Sequence, residues 1–143
     1  MTIKSPVSLK MTMEINDRGT KDVTIIEEKG QLLEKDTTAI LTFSESNEND
    51  EQIHSFITIK PDSISVKRSG AVNMHQKFIR KQITENVYRH EFGTIHMETT
   101  TDQIIYQPPE GQKQGKLFIS YSTSLNGDTP RRHRLTITLN KQS

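Results

Sequence analysis

Every second residue from Val7 to Ile15 is apolar (Val7, Leu9, Met11, Met13, Ile15), and Ser8, Lys10, Thr12 and Glu14 fill the gaps. This alternation constrains the fold more than any other feature, because it matches a strand with one buried face and one wet face. Wound into a helix, the same residues would scatter their hydrophobes around the whole circumference. Asn16-Asp17-Arg18-Gly19 follows with turn chemistry, glycine being free to take positive φ, and predicts a hairpin.

The alternation returns along the chain. A second run extends from Asp22 to Leu33, with Val23, Ile25 and Ile26 before Gly30 and Leu32 and Leu33 after it. A glycine inside a long strand suggests a bulge or bend that would reset the inward parity. Ala39, Leu41 and Phe43 make a third strand, and the acidic stretch Ser44 to Glu51 reads as a solvated hairpin loop. Ile53, Ile57 and Ile59 carry a fourth strand, closed by Pro61-Asp62. Ile64 and Val66 then lead to Arg68, Gly70 reverses the chain, and Met74, Gln76 and Phe78 lead to Arg80. The period is ambiguous from Gln82 to Arg89, where Thr, Val and Tyr favour a strand. Alternation resumes at Ile95, Met97, Thr99 and Thr101, and a short apolar run at Ile104 to Tyr106 ends at Pro108-Pro109. Leu117 to Leu125 and Leu135 to Leu139 are the last two strands, with the hairpin dipeptide Asn126-Gly127 between them.

This pattern gives about eight to ten strands with short turns, and no amphipathic helix. Nothing repeats internally and nothing marks a linker, so residues 1–143 are expected to form a single domain. Hydrophobic residues make up only 31% of the chain, which suits strands that each bury one face. A meander this long leaves exposed edges unless it closes on itself. The expected fold is therefore all-β, a single antiparallel meander β-barrel whose interior holds side chains or one small ligand.

Composition narrows the function. Nineteen basic residues against 18 acidic ones leave a net charge of +1, which gives no global field for nucleic acid or an anionic membrane. The absence of cysteine removes disulfide and thiolate chemistry. Met1-Thr-Ile-Lys-Ser-Pro6 is not an apolar leader, and no run of about 18 apolar residues occurs, so a cytoplasmic location without membrane association is expected. His90 and His96, with Glu91 between them, stand six apart rather than at the helical spacing a zinc site needs. His54, His75 and His133 are isolated and are expected at the surface, so no metal is expected. No Gly-x-Ser-x-Gly elbow occurs, and Gly111-Gln-Lys-Gln-Gly115 lacks the Gly-Lys-Ser/Thr ending of a phosphate loop. The chain reads as a non-enzyme without a cofactor.

Two constellations remain. Arg131, Arg132 and Arg134, around His133, form a basic cluster suited to phosphate or to a macromolecular partner. Lys77, Arg80, Lys81 and Arg89 would extend it if the fold brought them together. The balanced charge and sparse aromatics argue against nucleic acid as that partner. The second constellation is Arg68, Gln76, Arg80 and Tyr121, polar groups on faces otherwise built from Ile, Val, Met and Phe. One reading makes them a polar patch in a barrel cavity that binds a small molecule, an anion among the options. The other puts Arg68 at a strand end reaching solvent, with Gln76 bonded to backbone. Neither constellation decides between a monomer and a homodimer.

The segment Arg68-Ser-Gly-Ala-Val-Asn-Met-His-Gln-Lys-Phe78 resembles the YwiB-like family of small uncharacterised proteins from low-GC Gram-positive bacteria. The likeness continues at Phe92-Gly-Thr-Ile-His-Met-Glu-Thr-Thr100, at Gly115-Lys-Leu-Phe-Ile-Ser-Tyr121 and at Leu135-Thr-Ile-Thr-Leu139. With Pro6 to Met13 it covers nearly the whole chain. The resemblance implies a calycin-like, lipocalin-related barrel in the cytoplasm and carries no established activity or catalytic residue. Calycin relatives often hold hydrophobic ligands inside the barrel, a warrant by fold analogy alone. The Gly-x-Trp signature of true lipocalins is missing, since the chain has no tryptophan, which argues against a secreted carrier.

Overall fold

The computed structural model describes residues 2–46, 49–90 and 93–142, without the side chains of 88–90. The described residues form ten strands. These are β1 (Thr2–Asp17), β2 (Thr20–Lys35), β3 (Thr38–Ser46), β4 (Gln52–Ile59), β5 (Ser63–Gly70), β6 (Asn73–Ile79), β7 (Ile83–His90), β8 (Gly93–Gln107), β9 (Gly115–Leu125) and β10 (Arg131–Lys141). Each strand pairs antiparallel with its sequence neighbours, and β10 returns to β1, from Val7↔Lys141 to Asn16↔Arg132, to close the barrel.

Local chemistry sets the corners. Arg18 and Gly19 join β1 to β2 with φ of 54° and 86°, the two positive values that a tight primed hairpin requires. The β1–β2 register then runs unbroken from Asp17↔Thr20 to Thr2↔Lys35. Gly30 therefore does not reset the parity, contrary to the sequence expectation: Ile26 and Leu32 share the inward face. A Cβ at Gly30 would lie 2.3 Å from the Thr42 carbonyl oxygen, so glycine is needed there for a close approach of β3. The bulge lies instead on β8, at Asp102 between Thr101 and Gln103. It turns the inward set from Met97, Thr99 and Thr101 to Ile104 and Tyr106 and makes one strand of what the sequence presents as two runs.

The interior divides into two halves. Toward the end where β1 begins, Leu32, Leu41, Ile59, Ile64, Phe78, Leu117 and Leu139 are buried almost completely and fill the barrel. Burying each such side chain contributes about 2 kcal/mol. Toward the end where β10 begins, the inward residues Met11, Met13 and Met74 are only partly buried. The wall also thins between β6 and β7. The β6–β7 ladder holds only Asn73↔Arg89 and Met74↔Tyr88. Below it the Asn86 side chain accepts from the Lys77 amide, and the Thr84 hydroxyl donates to the Lys77 carbonyl.

Candidate functional site

A cavity of about 260 Å³ occupies the second half of the barrel. Ile26, Phe43, Ile57, Val66, Phe78 and Leu135 line it with the methionines 11, 13 and 74, and Thr24, Ser55, Arg68, Gln76 and Tyr121 supply its polar side chains. The alternation that began at Val7 explains the apolar part of the wall, since most inward positions of β1, β2, β4 and β10 at this level deliver a hydrophobe, while Thr24, Ser55, Arg68 and Gln76 interrupt it. Methionine leaves such a wall adaptable in shape.

The structure brings together three of the four polar residues singled out in the sequence, Arg68, Gln76 and Tyr121. Arg80 is not among them. It follows the end of β6, and its guanidinium donates to the Ile104 carbonyl at 2.8 Å, beside the filled half. Arg68 sits at the rim, where Nη2 donates to Glu45 Oε1 at 2.8 Å. Glu45 belongs to the acidic run read as loop, yet it continues the inward set Ala39, Leu41, Phe43 on β3. Parity was the signal that could have found it. Gln76 is bonded by a side chain rather than by backbone: its Nε2 donates to Thr99 Oγ1 at 3.0 Å and lies 3.8 Å from Met97 Sδ. The amide thereby stitches β6 to β8 across the thin β6–β7 seam.

Tyr121 is buried, and that burial pushes its phenol well above the usual range. Its ring meets Phe78 edge-on at 4.6 Å and stacks on His133 at 4.7 Å. The sequence placed His133 at the surface. It points inward, because β10 carries its inward set on odd positions: His133, Leu135, Ile137, Leu139. Its Nε2 shares one hydrogen bond with Thr123 Oγ1, at 2.7 Å, while Nδ1 is buried and finds no partner among the described residues. Burial, and then the positive charges of Arg131 and Arg132, lower its pKa to about 4.

The basic cluster assembles only in part: Arg132 and Arg134 share a concavity of the outer wall with Lys21, Glu14 and Asn16. Arg131 pairs with Asp17 at 3.3 Å, and Arg132 pairs with Asp102 while also donating to Ser120 and Ser122. Arg134 points outward opposite Glu14 on β1. Arg80 and Lys81 lie at the opposite end of the barrel from β10's start, and Lys77 is on the outer wall of β6. Glu91 and Phe92 lie outside the described residues, as do the side chains of Arg89 and His90. Ser44 Oγ lies 2.8 Å from His54 Nδ1, and Ser65 Oγ lies 2.8 Å from His75 Nε2. Both pairs are exposed cross-strand contacts, and among the described residues no carboxylate holds either imidazole as the third group that activates a serine. A larger groove, about 800 Å³, runs over the outer wall past Lys29, His54, Phe56 and Lys67. It is more open than the interior cavity, whose lining is mainly apolar with a few converging polar groups, as in small-molecule sites.

Among proteins of known sequence, the chain is 25% identical over 138 residues to the uncharacterized β-barrel protein YwiB of Bacillus subtilis (strain 168), covering 96% of this chain and 95% of that one. The crystal structure of the B. subtilis ywiB protein superposes with a TM-score of 0.84 at 24% identity, over 98% of this chain and 94% of that one. Residues 8–137 match the model of the family described as domain of unknown function DUF1934. This chain, a ten-stranded antiparallel β-barrel, belongs to that family.

Proposed function

We propose that the protein is a non-enzymatic, cytoplasmic, calycin-like barrel that binds a small ligand in the hollow half of its interior. The observation that carries this reading is the cavity itself, a mainly apolar wall with Arg68 and Gln76 converging on it. A volume near 260 Å³ suits a molecule of roughly ten non-hydrogen atoms. Its apolar body would lie among the three methionines and its polar end against the Gln76 amide and the Arg68 guanidinium. Glu45 already neutralises Arg68, which favours an uncharged polar head over an anion. Charged residues on outward positions, such as Lys10, Glu14, Lys29, Lys67 and Lys77, suit a wall facing water. No helix among the described residues is long and apolar enough to cross a membrane.

Docking of a macromolecule through Arg131, Arg132 and Arg134 is the weaker reading, since two of the three guanidinium groups are engaged by carboxylates. Native mass spectrometry of the protein purified from its own host separates the two. A small molecule that co-purifies with wild type and is lost from Gln76→Leu supports the cavity. A macromolecular partner lost from Arg134→Ala, with no small molecule bound, overturns it.

A further inference from the structure

The β1–β2 hairpin leaves an edge that the barrel does not use. In a ladder that starts from a two-residue turn, alternate residues bond to the partner strand. Thr20, Asp22, Thr24 and Ile26 accordingly aim their N–H and C=O groups at β1, and Lys21, Val23, Ile25 and Glu27 aim theirs away. On that other side β3 pairs only with Gly30–Lys35. The outward-aimed backbone groups from Lys21 to Glu27 thus meet no strand among the described residues. The side chains there are exposed as well, Val23 to 51% and Ile25 to 56%. Long, apolar, unprotected edges of this kind are what folded proteins generally blunt or cover.

We propose that this edge is covered by the same edge of a second copy, paired antiparallel about a two-fold axis at Thr24. In that register the outer face places Val23 opposite the partner's Ile25 and Lys21 opposite the partner's Glu27. By symmetry both pairings occur twice. The residues that face each other are the ones whose backbone groups are free, so about eight main-chain hydrogen bonds form. The edge is self-complementary in this register only. A slip of two residues in one direction sets Lys21 against Lys29 and Val23 against Glu27, and in the other it sets Lys21 against Ile25. An isologous strand pairing of this type closes after two copies and leaves no free edge of this segment for further growth.

Sedimentation equilibrium on the full chain tests the pairing. Wild type is expected to dimerise with a Kd of about 100 μM or tighter. Ile25→Pro deletes an N–H that β1 does not use, so the hairpin should persist while the dimer is lost. Lys21→Glu, which sets like charges opposite one another twice, should weaken the dimer about tenfold. Adding Glu27→Lys to that variant restores opposite charges and should bring Kd back to within about twofold of wild type. The charge-swap pair decides the matter even if the proline variant does not fold. A wild-type chain that stays monomeric at about 1 mM overturns the proposal, whatever other partner the edge might take. A dimer unchanged by Ile25→Pro, or a double charge variant that is not rescued, overturns it as well.

Discussion

The two halves of the barrel are built from the same ten strands by the same alternation, and they differ in what the inward positions hold. The filled half sets Leu32, Leu41, Ile59, Ile64, Leu117 and Leu139 against one another with almost no exposure. The other half sets flexible methionines beside an ion pair, an amide and an aromatic stack, and leaves space between them. The difference teaches that close packing and open interior space are separated along the barrel axis. Close packing at one end holds the fold, so the other end can remain under-packed and partly polar.

The largest expected effect breaks the filled half. Leu41→Ala or Leu117→Ala should cost about 3 kcal/mol, read by urea denaturation, because the rigid surroundings cannot collapse onto the void. Met13→Ala, beside space that already exists, should cost no more than about 1 kcal/mol. Equal losses at the two ends would erase the distinction.

Next in size is the rim pair. Arg68→Met leaves the Glu45 carboxylate, 12% exposed at its side chain, without its partner and should cost about 2 kcal/mol. Arg68→Met with Glu45→Met should recover most of that loss, since no half-buried charge then remains. Gln76→Leu should cost about 1.5 kcal/mol, as Thr99 loses its hydrogen bond inside the barrel. It should also weaken ligand binding in the same variant, whereas Leu41→Ala should leave binding unchanged among the molecules that stay folded.

The smallest effect is titration of His133. The folded barrel holds this imidazole at a pKa of about 4 against an ordinary 6.5. Between those values the unfolded chain takes up a proton that the folded chain refuses, so stability is fully present above about pH 6.5 and falls as pH drops toward 4. The ring is only half-buried and solvent screens it, which holds the loss to about 1 kcal/mol. His133→Phe keeps the stacking on Tyr121 and should remove this share of the pH dependence of the urea midpoint.

Much of this architecture was legible in the sequence, because side-chain alternation and closure follow from burial alone. Val7 to Ile15, Leu117 to Leu125 and Leu135 to Leu139 fixed the strands, and Arg18-Gly19 marked the first corner. Parity within a strand was readable too, and it placed Arg68, Gln76 and Tyr121 in one interior. What was not legible depended on how strands meet. Glu45 hid in an acidic run whose charge suggested solvent, although it continues an inward set. Arg80 kept the parity of Gln76 and Phe78 but lay past the end of the strand. His133 was read as isolated because Tyr121 and Thr123, its stacking and hydrogen-bonding neighbours, are distant in sequence. The thin β6–β7 seam, which gives Gln76 its partner on β8, has no local signature at all.

The central claim, that the hollow half accepts a small apolar molecule with a polar head, is tested most directly by methyl NMR. Methionine methyl groups would be labelled with carbon-13 and octanol titrated in, with octanoate as the charged control. The account predicts saturable shifts at Met11, Met13 and Met74, tighter for octanol than for octanoate, and no change at Leu41 or Leu117 in a parallel leucine-labelled sample. Methionine resonances that do not move with either probe, or leucine resonances that move equally, would contradict it.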